Sequence, residues 1–173
     1  MQNTLLCLGC GYTARALVPH LLARGWRVVG TSREAATVPG VEMLTWPGDA
    51  IELTGVTHIL SSVGPNAQGD PVLAQLGAEI TSAAPDLQWV GYLSTTAVYG
   101  DRNGAWVDET AEVAPTSQRG TWRALAEEQW QQIPELPLHI FRLAGIYGPG
   151  RGPFAKLMAG KARRIVKPGQ VFS

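Results

Sequence analysis

The sequence predicts an α/β domain built on a doubly wound, mostly parallel sheet. Three observations predict it. Apolar runs of strand length alternate with helix-length stripes from the N-terminus onward, the pattern of parallel βαβ units. The first run ends in a glycine turn that opens a helix, Gly9-Cys10-Gly11-Tyr12-Thr13-Ala14. The chain has 173 residues, enough for one domain with a sizeable core.

Thr4-Leu5-Leu6-Cys7-Leu8 is a short apolar run closed by glycine, as a strand covered on both faces requires. Ala14, Leu17, Val18, Leu21 and Leu22 then fall at the spacing of one helix face. Arg24 suits the last turn of that helix and Gly25 its C-cap. Pro19 lies inside it and is expected to kink it or weaken its ladder. Residues 27–31 and 41–46 read as the second and third strands, and residues 58–63 as the fourth. Asp70-Pro71 places an N-cap and a first-turn proline before the stripe Val72, Leu73, Leu76 and Ile80. Residues 89–93 form a fifth strand opening into Ser94-Thr95-Thr96. The polar stretch 100–118 is long enough to suggest a functional loop. A helix over 121–132, a sixth strand over 138–143 and a short helix over 154–160 follow. No repeat interrupts the series.

Composition narrows the function classes. Fourteen Lys and Arg balance fourteen Asp and Glu, and the pI is 6.8. Nucleic-acid and membrane-surface partners usually need a basic excess, so neither is expected. No apolar stretch reaches membrane-spanning length. Met1-Gln2-Asn3-Thr4 lacks the basic region of a signal peptide, and two cysteines make no disulfide framework. A reducing cytoplasm is the expected setting. Cys7-x-x-Cys10 has redox-pair spacing, but Cys7 lies within a strand rather than at a helix N-terminus, which disfavours that reading. Cys10 is expected to be accessible when no ligand covers the turn. His20, His58 and His139 are scattered, and no metal site is expected.

Sheets of this kind bind ligands outside the carboxyl ends of their strands. Gly9 permits a tight turn, Gly11 leaves room for a pyrophosphate, and Ala14 lets the helix pack close to the strand. The helix N-terminus, with Tyr12 and Thr13, supplies oriented N–H groups. The whole is the fingerprint of a dinucleotide-binding Rossmann domain, in which NAD or NADP is the expected cofactor. A carboxylate after the second strand would favour NAD; here Thr31-Ser32-Arg33 stands instead, two hydroxyls and a guanidinium that suit a 2′-phosphate. NADP is therefore expected, with NAD as the alternative, unless Arg33 is merely a solvated loop charge. Asp49 either meets the adenine edge or serves a turn.

Further segments carry a resemblance. Leu93-Ser94-Thr95-Thr96-Ala97-Val98-Tyr99-Gly100, the helix after the long loop, and Phe141-Arg142-Leu143-Ala144-Gly145-Ile146-Tyr147-Gly148-Pro149-Gly150-Arg151 follow the glycine turn in order. Together they resemble the extended and atypical short-chain dehydrogenase/reductases, the NAD-dependent epimerase/dehydratase group. The resemblance implies a hydroxyl at Thr95 bonding the reacting oxygen. It also implies a Tyr-x-x-x-Lys pair, whose positions Arg119 and Arg123 occupy. Arginine stays protonated, so Arg119 cannot be the usual acid/base, whereas Arg123 could still hold a ribose or phosphate. Thr95-Thr96-Ala97 also departs from the dehydratases' Thr-Asp-Glu. Tyr99 and Tyr147 are substitutes by position; packing is the plainer role for each.

Members of that group run on into a smaller substrate domain. Residues 1–173 are therefore expected to be an NAD(P)-binding domain cut before that domain ends, with an apolar surface exposed where it would pack and Gln170-Val171-Phe172-Ser173 lying mid-element. Two functions follow from the resemblance: an oxidoreductase or epimerase acting on a small, sugar-like or nucleotide-linked substrate, or a non-catalytic NADP-binding or redox-sensing module. A homodimer is compatible with either.

Overall fold

The computed structural model describes residues 2–163. Its strands are β1 (Thr4–Leu8), β2 (Arg27–Ser32), β3 (Glu42–Thr45), β4 (His58–Ser61), β5 (Trp89–Thr95) and β6 (Leu138–Leu143). The helices are α1 (Tyr12–Leu22), α2 (Pro71–Ala83), α3 (Gln118–Gln131) and α4 (Pro153–Met158). The strands form one sheet in the order β3-β2-β1-β4-β5-β6. Every pairing is parallel. This is the doubly wound α/β order, and it reverses between β1 and β4.

Burial follows the two-residue period of β1. Leu6 and Leu8 join Ile59, Val90 and Tyr92 beneath Val72, Leu76 and Ile80 of α2 and Ala126 and Trp130 of α3. Leu5 and Cys7 join Val28 and Leu60 beneath Ala14 and Val18 of α1. A strand buried on both faces can be apolar throughout, as β1 is.

Several boundaries differ from expectation. β3 and β4 are shorter, whereas β5 runs on to Thr95 because β6 keeps pairing with it, Thr95 against Leu143. Helix α1 begins at Tyr12 and passes through Pro19 without ending. Pro19 and Arg15 are both exposed. Water can therefore serve the Arg15 carbonyl that the proline leaves without a helical donor. Leu17, expected in the buried stripe, is exposed. Helix α3 starts at Gln118, because Ser117 caps it by accepting from the Gly120 N–H at 3.1 Å. Gly120 lies inside the first turn, where a Cβ would lie 2.7 Å from the Ala97 carbonyl oxygen. The residue marks a close approach, not a helix end. Phe154, Leu157 and Met158 of α4 are exposed. The expectation for residues 170–173 lies outside the described residues.

Asp70 ties both helices of one layer together. Its carboxylate accepts from the Val72 N–H at 2.7 Å and from the Trp130 indole N–H at 2.8 Å, and all of this is buried. Burial pushes its carboxyl upward, and those two hydrogen bonds oppose the shift. Asp70→Ala removes the cap of α2 and leaves the indole N–H buried without an acceptor. We expect a loss of about 2–4 kcal/mol in urea unfolding. A loss near zero would show that the cap and the indole bond contribute nothing net.

Candidate functional site

The glycine turn sits where the strand order reverses, and two neighbouring strands hold it. Gly9 takes φ +83°, where a side chain is strained, and a Cβ would lie 2.8 Å from Ser62 Oγ. Its N–H donates to Thr31 Oγ1 at 2.9 Å, and its carbonyl accepts from the Ser62 hydroxyl. The Cys10 N–H donates to the Thr31 carbonyl at 2.7 Å. Gly11 is different: a Cβ there would meet only the Gly9 carbonyl oxygen, at 3.9 Å. The protein's own packing thus leaves open space at Gly11. Gly11 is also the N-cap of α1 and supplies no side-chain acceptor. The first N–H groups of an eleven-residue helix therefore have no side-chain cap. Ala14 is buried against the strands, as close helix packing requires.

A cleft of about 830 Å³ opens from this turn. That volume lies within the range of small-molecule and cofactor sites. Its floor is Gly9, Cys10 and Gly11; one wall runs from Thr31 to Ala36, and Ser62, Val63 and Gly64 form another. Arg15 and Arg33 both line it. An open glycine, an uncapped helix N-terminus and two guanidinium groups fit an anionic dinucleotide.

The structure brings together only some of the residues that the sequence singles out. Gly9, Gly11, Thr31, Ser32 and Arg33 line the cleft. Thr31, however, is buried, with its oxygen occupied by the Gly9 N–H, and the Ser32 hydroxyl donates to the Glu34 carbonyl. Arg33 is exposed. Asp49 is a turn residue: its carboxylate accepts from the Thr45 N–H at 2.7 Å. Tyr12 turns aside, donating to the Pro149 carbonyl at 3.1 Å beneath the Arg151 guanidinium, and Thr13 is not among the lining residues. Cys10, expected to be accessible, is 3% exposed. Hydrogen bonding from Cys7 and then the Arg15 charge bring its thiol down to about 7, against burial, while Cys7 is pushed up.

At the opposite end, the expected catalytic positions are poor in proton chemistry. Thr95 Oγ1 accepts from the Ala97 N–H at 3.2 Å and caps the turn Thr96–Tyr99. Arg119 is exposed in the first turn of α3. Arg123 Nη1 donates to Tyr92 Oη and the Leu93 carbonyl, both at 3.0 Å, and to the Val63 carbonyl at 3.4 Å. Burial pushes the Tyr92 phenol well up, away from neutral pH. Tyr99 is a packing residue whose oxygen accepts from Arg142 Nη1 at 3.0 Å. Tyr147 is 70% exposed.

Sequence reasoning misses two features. One is Arg15, whose signal is its place one turn into the helix that follows the glycine turn. The other is a polar network around Glu127, which is 3% exposed. Glu127 pairs with Arg142 at 2.8 Å and accepts from the Ser94 hydroxyl. Among the described residues no group of three His, Cys, Asp or Glu side chains could hold a metal, and no helix is long and apolar enough to cross a membrane.

Comparison with known proteins places the fold. No family model matches the chain. It is similar to Protein YeeZ of Escherichia coli K12, 31% identical over an alignment that covers 89% of this chain and 62% of the relative. It is also similar to a solved, functionally unknown conserved protein from Silicibacter pomeroyi. That match has 58% identity and a TM-score of 0.91, covering 99% of this chain and 62% of the other. The chain thus spans about three-fifths of the length of the relatives it matches. UDP-glucuronic acid 4-epimerase from Bacillus cereus, solved with UDP-glucuronic acid and NAD, superposes with a TM-score of 0.67 at 17% identity. This match covers 91% of this chain and 64% of the epimerase. The chain therefore shares the Rossmann fold of that epimerase.

Proposed function

We propose that this chain is the NADP(H)-binding part of a longer protein and that it lacks tyrosine-based proton transfer. One observation carries the reading: the open Gly11 and the uncapped start of α1 lie in one cleft with Arg33 at the end of β2. A pyrophosphate suits the helix N-terminus, and a guanidinium suits a 2′-phosphate. When bound, the cofactor would supply hydride; this chain's residues would bind and orient it.

The proton chemistry supports a non-catalytic or redox-sensing role. Hydride transfer to a carbonyl needs a group that gives and takes a proton near neutral pH. Arg119 cannot do so, and Arg123 is a fixed, protonated strut. Thr95 can donate a hydrogen bond but has no adjacent base. The second reading, an oxidoreductase or epimerase on a sugar-like or nucleotide-linked substrate, is favoured by exposed Tyr147 and by the epimerase fold neighbour.

Calorimetric titration of the full-length protein tests the cofactor. NADPH is expected to bind more tightly than NADH. Arg33→Ala is expected to weaken NADPH about tenfold or more, as one charged arginine–phosphate contact contributes about 1.5–3 kcal/mol. Equal or tighter NADH binding sinks the preference. Steady-state assays with NADPH and a carbonyl panel test the chemistry. Reduction should run about 10²–10⁴-fold below an enzyme with a working acid/base. The double substitution Arg119→Tyr with Arg123→Lys should raise it. An ordinary enzymatic rate in the unaltered protein would overturn this account, and its loss on Tyr147→Phe would assign the proton transfer to that tyrosine.

A further inference from the structure

We infer that Arg15 is a second guanidinium of the 2′-phosphate site, and that Arg15 and Arg33, not Thr31 and Ser32, discriminate NADP(H) from NAD(H). This rests on the reading that a dinucleotide occupies the cleft. The two hydroxyls are engaged within the protein. Thr31 is 1% exposed and receives the Gly9 N–H, and Ser32 donates to the Glu34 carbonyl. The Ser32 proton is thus spent within the protein, and the Thr31 hydroxyl lies too deep to reach a ligand.

Arg15 takes up the role. Its Nε donates to the Cys10 carbonyl at 3.0 Å, and the Cys10 N–H donates in turn to the Thr31 carbonyl at 2.7 Å. These bonds tie the base of the guanidinium to the carboxyl end of β2, next to Ser32 and Arg33. Neither Nη group of Arg15 makes a hydrogen bond among the described residues. The fork is therefore anchored at its root, beside the Cys10 thiol on which its charge acts, and this anchoring reduces the entropy left to lose on meeting a phosphate. Among the described residues neither Arg15 nor Arg33 has a carboxylate within ion-pair distance; the ion pairs are Arg27 with Glu42 and Arg142 with Glu127. Glu34 lines the same cleft and is exposed, so solvent and salt weaken its opposition to a phosphate. Both guanidinium groups line one cleft without a carboxylate partner, an arrangement that favours an anion there. A phosphate monoester, with its three terminal oxygens, can accept from both forks.

The competing role for Arg15 is at the pyrophosphate, which NAD(H) and NADP(H) share. Fluorescence titration of the full-length protein with NADPH and with NADH separates the two. Arg15→Ala should weaken NADPH about tenfold or more and leave NADH unchanged, as Arg33→Ala should. Arg15→Lys should recover part of the loss, and the double alanine variant should bind both nucleotides alike. If Arg15→Ala unfolds, Arg15→Gln and Arg15→Lys carry the same comparison, with thermal melting confirming their fold. Equal weakening of both nucleotides, or an unchanged ratio between them, overturns the inference and leaves the cleft reading intact. If the unaltered protein binds neither nucleotide, the cleft reading fails and this inference falls with it.

Discussion

The backbone of Gly9 is the point on which the site depends. At that residue the chain leaves the sheet, so its N–H and carbonyl can no longer join a strand ladder, yet both remain close to protein. A buried backbone group without a partner costs about 1–3 kcal/mol. Here Thr31 from β2 and Ser62 from the end of β4 serve the two groups from either side. The turn is thereby clamped between its neighbouring strands. Helix α1 must then start with its N–H groups aimed over the reversal in strand order. Ligand-facing geometry follows from satisfying the polymer's own hydrogen bonds.

A second constraint acts through α3. Arg123 and Glu127 lie one turn apart on the helix; both reach β5, and each has a further partner beyond it. Arg123 bonds the carbonyls of Val63 and Leu93, and Glu127 bonds Ser94 and Arg142. The helix is thus fixed across the carboxyl ends of β5 and β6 and the segment leaving β4. A planar guanidinium can serve several acceptors in fixed directions, whereas an ammonium is a compact point charge. Arginine at position 123 therefore gives rigidity where a titratable amine would give pKa tuning. The same bonds that position the helix remove that side chain from proton exchange.

Local signals made the fold legible. The limits of β1 and β6, the Asp70 cap and the glycine turn each follow from short-range chemistry, and each stands in the structure as read. Features that depend on distant partners were not legible. The start of α3 at Gln118 depends on the close approach of Gly120 to the Ala97 carbonyl, which no neighbouring residue reveals. Thr31 and Ser32 have the composition of a phosphate site, but their hydroxyls are claimed by Gly9 and Glu34. Asp49 looked the same whether it met a ligand or the Thr45 N–H. Glu127 reads as an ordinary polar helix residue until Arg142 is brought beside it.

The central place of β1 has a consequence for how the chain matures. β1 is made before the other strands of this sheet, but it pairs with β2 on one side and β4 on the other. Leu5 lies opposite His58, so one edge of this apolar strand stays unpaired until about fifty more residues have been added. At a synthesis rate of about 5–20 residues per second, that is a wait of several seconds. During it, the β1–β2 pair presents an open, hydrophobic edge of the kind that templates pairing between chains. The nascent chain is therefore most vulnerable to association before its fourth strand emerges, and a ribosome-bound chaperone would have its clearest target in Thr4–Leu8.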